Sequence, residues 1–184
     1  MHTVAVVITD DGDWEGALAP YDEDLEIQQY VVTEKAEILE MLKNNIKNKT
    51  DFYNTMKLRG FDFTSDEALL TSYRNDERER YGTKFDDEGN EVSMCNPNAI
   101  WDWYTLGGRW EGELLKDKNG KPTDIGWVKD LDPEFGVLNI DSMSYFPEVF
   151  FDGDYYNEEE DCVNILKRLK HHPEWHVAIV DYHI

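Results

Sequence analysis

Two segments at the ends of the chain are apolar almost without interruption. His2–Thr9 (HTVAVVIT) and 175–184 (WHVAIVDYHI) are rich in β-branched residues and lack the alternation of a half-exposed strand. That pattern predicts two strands covered on both faces, lying side by side in the centre of a sheet. Between them the apolar period becomes helical. Ile38, Leu39, Leu42 and Ile46 recur on one face behind Thr33 as N-cap, with Lys43, Lys47 and Lys49 toward the C-terminal end, so a helix is expected over about 34–48. Thr64-Ser65-Asp66-Glu67 has the form of a capping box and opens a second helix, which runs to about Arg80 and stops at Gly82. Its outer face from Arg74 to Arg80 is charged and reads as solvated. Asn157 caps a third helix over about 158–171, with acids in its first turn, Cys162, Val163, Leu166 and Leu169 inward, and Pro173 as its stop.

The remaining elements are short. Asp87-Glu88-Gly89-Asn90 reads as a turn, and residues 101–110 (WDWYTLGGRW) as a strand with a kink or bulge at Gly107-Gly108. Lys118-Asn119-Gly120-Lys121 is expected to join Leu114-Leu115 to Gly126-Trp127-Val128 as a hairpin, with further strands at 135–140 and 148–151. The order is strand, helix, inserted helices, several strands, helix, strand. It predicts an α+β fold: an elaborated ferredoxin-like (split βαβ) antiparallel sheet, with the helices at 34–48 and 158–171 on one face and a helical and hairpin insertion at about 50–95. With 184 residues, no internal repeat and no Pro- or Ser-rich linker, one acidic domain over 1–184 is expected.

Charge changes the picture most. The chain carries 40 Asp+Glu against 18 Lys+Arg, a net −22. Residues 1–34 hold nine acids and no Lys or Arg, and residues 130–166 hold eleven and again none, so the rest of the chain is nearly neutral. A halophilic surface would spread its acids more evenly. Two acidic stretches on one side would make a field of several kT. Direct binding to nucleic acid is nearly excluded on this balance, because a phosphate backbone would be repelled. No apolar run approaches the roughly 20 residues of a membrane span, and the first residues lack the pattern of a secretory signal. A cytoplasmic protein is expected, with Cys95 and Cys162 as free thiols, since their spacing fits neither zinc nor a redox pair.

Residues 96–110 read NPNAIWDWYTLGGRW. This segment resembles the shared motif of a family of mostly uncharacterised proteins encoded by bacteriophages and prophages: Asn-Pro-Asn, then Trp-Asp-Trp-Tyr and Gly-Gly-Arg-Trp. Leu18-Ala19-Pro20-Tyr21-Asp22-Glu23, Val128-Lys129-Asp130-Leu131-Asp132 and the closing Asp181-Tyr182-His183-Ile184 are similar to the family too, so the resemblance spans most of the chain. It implies a phage origin and action inside the host cell. It carries over no catalytic residues, because the family has no established function.

Two kinds of candidate site follow. One is the acidic surface, represented by Asp10, Asp11, Asp13, Glu15, Asp152, Asp154, Glu158, Glu159 and Glu160. The other is a pocket around Trp101, Asp102, Trp103, Arg109 and Trp110, where tryptophans form a platform, Gly107-Gly108 allows close backbone approach, and Arg109 grips a phosphate or carboxylate. The bland reading of that segment is packing, a bulge, and an Arg109–carboxylate pair. His171, His172 and His176, and the alternating Asp181 and His183, do not have the ligand spacing of structural zinc, and the acidic loops lack a calcium-loop pattern, so no metal and no cofactor are expected. No nucleophile elbow or activated cysteine marks a catalytic residue. The expected function is a phage-encoded, non-catalytic inhibitor that places its acidic surface in the basic nucleic-acid-binding groove of a host defence or nucleic-acid-processing protein. The alternative is a small-ligand or nucleotide-binding protein, or an enzyme, using the 101–110 pocket.

Overall fold

The computed structural model of the protein describes residues 1–132 and 147–184; the strand expected at 135–140 lies outside the described residues. The chain divides into two compact units, one formed by Met1–Leu25 with Cys95–Ile184 and the other by Glu26–Met94. The first unit opens with β1 (His2–Thr9) and the short α1 (Trp14–Leu18). The second contains β2 (Tyr30–Thr33), α2 (Lys35–Asn48), α3 (Asp51–Leu58), α4 (Asp66–Tyr81), β3 (Lys84–Phe85) and β4 (Glu91–Ser93). The first then resumes with β5 (Trp103–Leu106), β6 (Leu115–Lys116), β7 (Pro122–Thr123) and β8 (Ile125–Trp127), followed by β9 (Glu148–Phe151), β10 (Asp154–Tyr156), α5 (Glu159–Arg168) and β11 (His176–His183). The fold is α+β.

The two apolar end segments are neighbours. β1 and β11 pair antiparallel over their whole length, from His2 opposite His183 to Thr9 opposite His176. The main sheet has the order β10-β9-β1-β11-β5, with β8 also on β11. Both faces are covered, which is why neither segment alternates. Val4, Val6, Ile8, Val149, Val177 and Ile179 meet Cys162, Ile165 and Leu166 of α5, and Leu169 just after it, on one face. Ala5, Val7, Phe150, Ala178, Val180 and Tyr182 meet Leu18 of α1 and Trp101 on the other.

Several expectations are corrected. The sheet is mixed rather than wholly antiparallel, because β1 and β9 pair in parallel, with Ile8 beside Phe151. Such a pair needs a long crossover, and more than a hundred residues of chain separate the two strands here. The helix at 34–48, expected on the same sheet as α5, belongs to the second unit. It buries Ile38 and Leu42 with Met56, Phe61, Leu69, Leu70 and Tyr73 in the core of that unit. The N-cap of α2 is Glu34, in a reciprocal capping box with Glu37, and not Thr33; the cap of α5 is Glu158, not Asn157. α3 was not foreseen; Lys49 in a left-handed conformation ends α2, and Thr50 caps the next helix by accepting from the Tyr53 N–H. The turn at 118–121 closes β6 on β7, while β8 leaves to join β11. Asp152 and Gly153, both with positive φ, form a two-residue hairpin turn into β10, which sequence reading had missed.

Leu166 lies in the α5 face of the core and is 2% exposed. Leu166→Ala should lower unfolding free energy by about 2–5 kcal/mol in urea titration, as expected for a buried cavity; a loss under about 1 kcal/mol would mean this face is not tightly packed.

Candidate functional site

The parallel pairing of β1 with β9 sends the chain out of both strands at the same end of the sheet. Asp10, Asp11 and Asp13 follow β1 there, Asp152 lies in the turn after β9, and Asp154 opens β10. All five are exposed. None has a Lys or Arg partner among the described residues, whereas the second unit pairs Lys35 and Arg74 with Glu67, Lys43 with Asp66, and Arg59 and Arg80 with Asp76. The first unit carries 25 acids against 8 bases, the second 15 against 10. Two of the five also serve local structure: Asp11 accepts the Asp13 N–H at 2.9 Å, and Asp13 caps α1 by accepting from Gly16 at 3.0 Å.

The other acids of the expected surface go elsewhere. Glu15, on α1, hydrogen-bonds the Tyr104 hydroxyl, whose pKa is raised by burial and by this carboxylate. Glu158, Glu159 and Glu160 are exposed at the start of α5, where negative charge favours the helix dipole. β10 runs antiparallel to β9 and carries the chain back toward the opposite end before α5 begins.

His176 lies beneath the acidic end. It is 8% exposed, packs edge-on against Trp127 with ring centroids 5.1 Å apart, and its Nδ1 has no hydrogen-bond partner among the described residues. Gly12 sits over this pair, so close that a Cβ there would stand 3.3 Å from Trp127. Burial lowers the His176 pKa, and the charge of Asp11 partly opposes the shift.

The 101–110 segment is split between packing and surface. Trp101 is buried and donates from Nε1 to the Leu18 carbonyl at 3.1 Å, while Asn96 donates to the carbonyls of Pro20 and Asp22. Those two motif residues therefore fasten 95–102 to 18–22, and Trp101 is unavailable as a ligand platform. Trp110 packs partly buried against the α5-side core. Gly107 and Gly108 have positive φ, and a Cβ on Gly108 would stand 2.2 Å from the Asp181 Cβ, so the backbone approach is to the protein's own carboxylate. Asp181 accepts the Arg109 N–H at 3.1 Å. Asp102 is bonded to His183, and the Arg109 side chain is exposed.

Trp103, 42% exposed, stacks on His183 with an 8° interplanar angle and meets His2 edge-on. His2 Nδ1 lies 2.9 Å from buried Asp181, and His183 Nδ1 lies 3.0 Å from both oxygens of Asp102. Partial desolvation raises the Asp102 pKa, but the hydrogen bond and charge of His183 outweigh it and hold the carboxyl below its usual value. This cluster is at the opposite end of β1 from Asp10, roughly 26 Å away at strand rise. His2 and Asp181 were missed as site residues because their meeting depends on the β1–β11 register. The two histidines near the outer ends of the expected strand pair were the available signal.

A cavity of about 160 Å³ lies by the β6–β7 hairpin, lined in part by Asp117, Lys121, Thr123, Ile125, Asp130 and Leu131; no residue of 101–110 lines it. Among the described residues no three His, Cys, Asp or Glu side chains group as metal ligands, and no helix is long and apolar enough to cross a membrane. Comparison with protein-family models, curated proteins and solved structures finds no match.

The lowered pKa of His176 has a definite sign for stability. As pH falls, the unfolded chain takes up this proton first, so the contribution is complete above the unfolded value of about 6.5 and is lost as pH falls through it toward the folded value. Urea midpoints of the wild type and His176→Gln, compared from pH 7.5 to 5, should converge as the pH falls. Parallel curves would show that His176 does not titrate on unfolding.

Proposed function

We propose that this protein is a non-catalytic inhibitor of phage origin that inserts the acidic end of its sheet into a basic, nucleic-acid-binding groove of a host defence or nucleic-acid-processing protein. The observation that carries the reading is the convergence of Asp10, Asp11, Asp13, Asp152 and Asp154 at one end of a rigid sheet, without Lys or Arg partners among the described residues. Carboxylates held close to the ends of paired strands lose little freedom on binding, and their summed field accelerates encounter with a cationic groove. The phage resemblance of the sequence supplies the setting. Glu158, Glu159 and Glu160 belong to the helix start in this reading and contribute only at long range.

A second reading, small-ligand binding at 101–110, retains one favourable observation: exposed Trp103 stacked on His183 beside the half-exposed Asp102. Trp101 and Trp110 no longer belong to it.

Capture from bacterial lysate, with duplex DNA or RNA as competitor, separates the two. Asn at positions 10, 11, 13, 152 and 154 keeps the turn and capping chemistry while removing five charges. The wild type should retain nucleic-acid-binding proteins that the competitor displaces, with retention falling as salt rises. The five-Asn variant should associate at least about tenfold more slowly, and Arg109→Ala should bind as the wild type does. If the five-Asn variant captures normally while Trp103→Ala or Arg109→Ala abolishes binding of a small ligand or an activity, the second reading replaces the first.

A further inference from the structure

We propose that His2 and His183 form a binding site for a divalent transition-metal cation of the zinc class, independently of the acidic-end reading. The two residues are directly opposed in the β1–β11 register, with ring centroids 5.3 Å apart and planes at 72°. Each ring is anchored at Nδ1 by a carboxylate, His2 by Asp181 and His183 by Asp102. An ionised carboxylate only accepts, so Nδ1 carries the proton on each neutral ring and Nε2 keeps its lone pair. That is the tautomer of a metal-ligating histidine, with the carboxylate behind it fixing the ring. The side chains are 21% and 34% exposed, which leaves an approach from solvent.

Spacing and charge agree with this assignment. Two imidazoles on one tetrahedral ion, with metal–nitrogen bonds of about 2.0–2.1 Å, have centroids about 5 Å apart. A dication balances the charges of Asp102 and Asp181, and a net charge of −22 enriches cations around the molecule. Imidazole nitrogen selects Zn²⁺, Ni²⁺ or Cu²⁺ over Mg²⁺ and Ca²⁺. No third protein ligand converges here among the described residues, so water fills the remaining positions and the site is weaker than a closed structural one.

The test is calorimetric titration of ZnCl₂ into the full chain after EDTA treatment and dialysis, with and without excess Mg²⁺, beside ¹⁵N NMR of the histidine rings. The expected result is saturable binding that survives Mg²⁺ and shifts the Nε2 resonances of His2 and His183. His2→Gln and His183→Gln should each weaken binding at least about tenfold, and Asp102→Asn, which leaves both imidazoles in place, by about ten- to a hundredfold. The five-Asn variant should bind as the wild type does. No binding at about 100 μM Zn²⁺, shifts confined to His171 and His172, or binding that Mg²⁺ displaces and the five-Asn variant loses would each overturn the proposal. The wild-type NMR result decides even if a histidine variant fails to fold.

Discussion

β1 makes two pairings at once, antiparallel to β11 along all eight residues and parallel to β9 over Ala5–Ile8. Val6, Val7 and Ile8 have no exposed surface, because α5 covers one face of the strand and α1 with Trp101 the other. Burial of such a side chain is worth about 1.5–3 kcal/mol, and a one-residue slip of β1 would exchange its two apolar sets between differently shaped faces. The register is therefore strongly specified, and the positions of the surface groups follow from it. Antiparallel pairing sets His2 opposite His183; parallel pairing brings the residues after Thr9 and after Phe151 to one end.

The central strands were legible because their signal is local: continuous β-branched apolar residues at both chain ends. α4 was legible for the same reason, since Ser65 and Gly82 cap it as their residue types suggest. The direction of β9 relative to β1 was not, because nothing within either short strand encodes its partner. The split of 101–110 was also hidden. Trp101, Trp103 and Trp110 look alike in sequence, yet a hydrogen bond to Leu18, a stacked histidine and a position beside the α5-side core give them different environments. Asp152-Gly153 was a readable hairpin signal that sequence reading passed over; the need for positive φ at both turn positions explains the pair.

The two units handle charge differently. In the second, Lys and Arg answer Asp and Glu in pairs such as Arg59–Asp76, 2.6 Å apart. In the first, carboxylates are tied to turns and caps through backbone N–H groups, and the acidic end lacks cationic partners among the described residues. In the proposed complex, a partner with fixed positive charge would supply the cations that the acidic end lacks.

The most direct test of this account is NMR mapping with a short oligo-arginine peptide as the probe, at low and at physiological salt. The amide shifts should concentrate at residues 10–13 and 152–154, weaken at higher salt, and spare 101–110. Shifts spread evenly over all exposed acids, or centred on Glu158–Glu160, would contradict the claim that the parallel pairing of β1 and β9 creates the protein's binding surface.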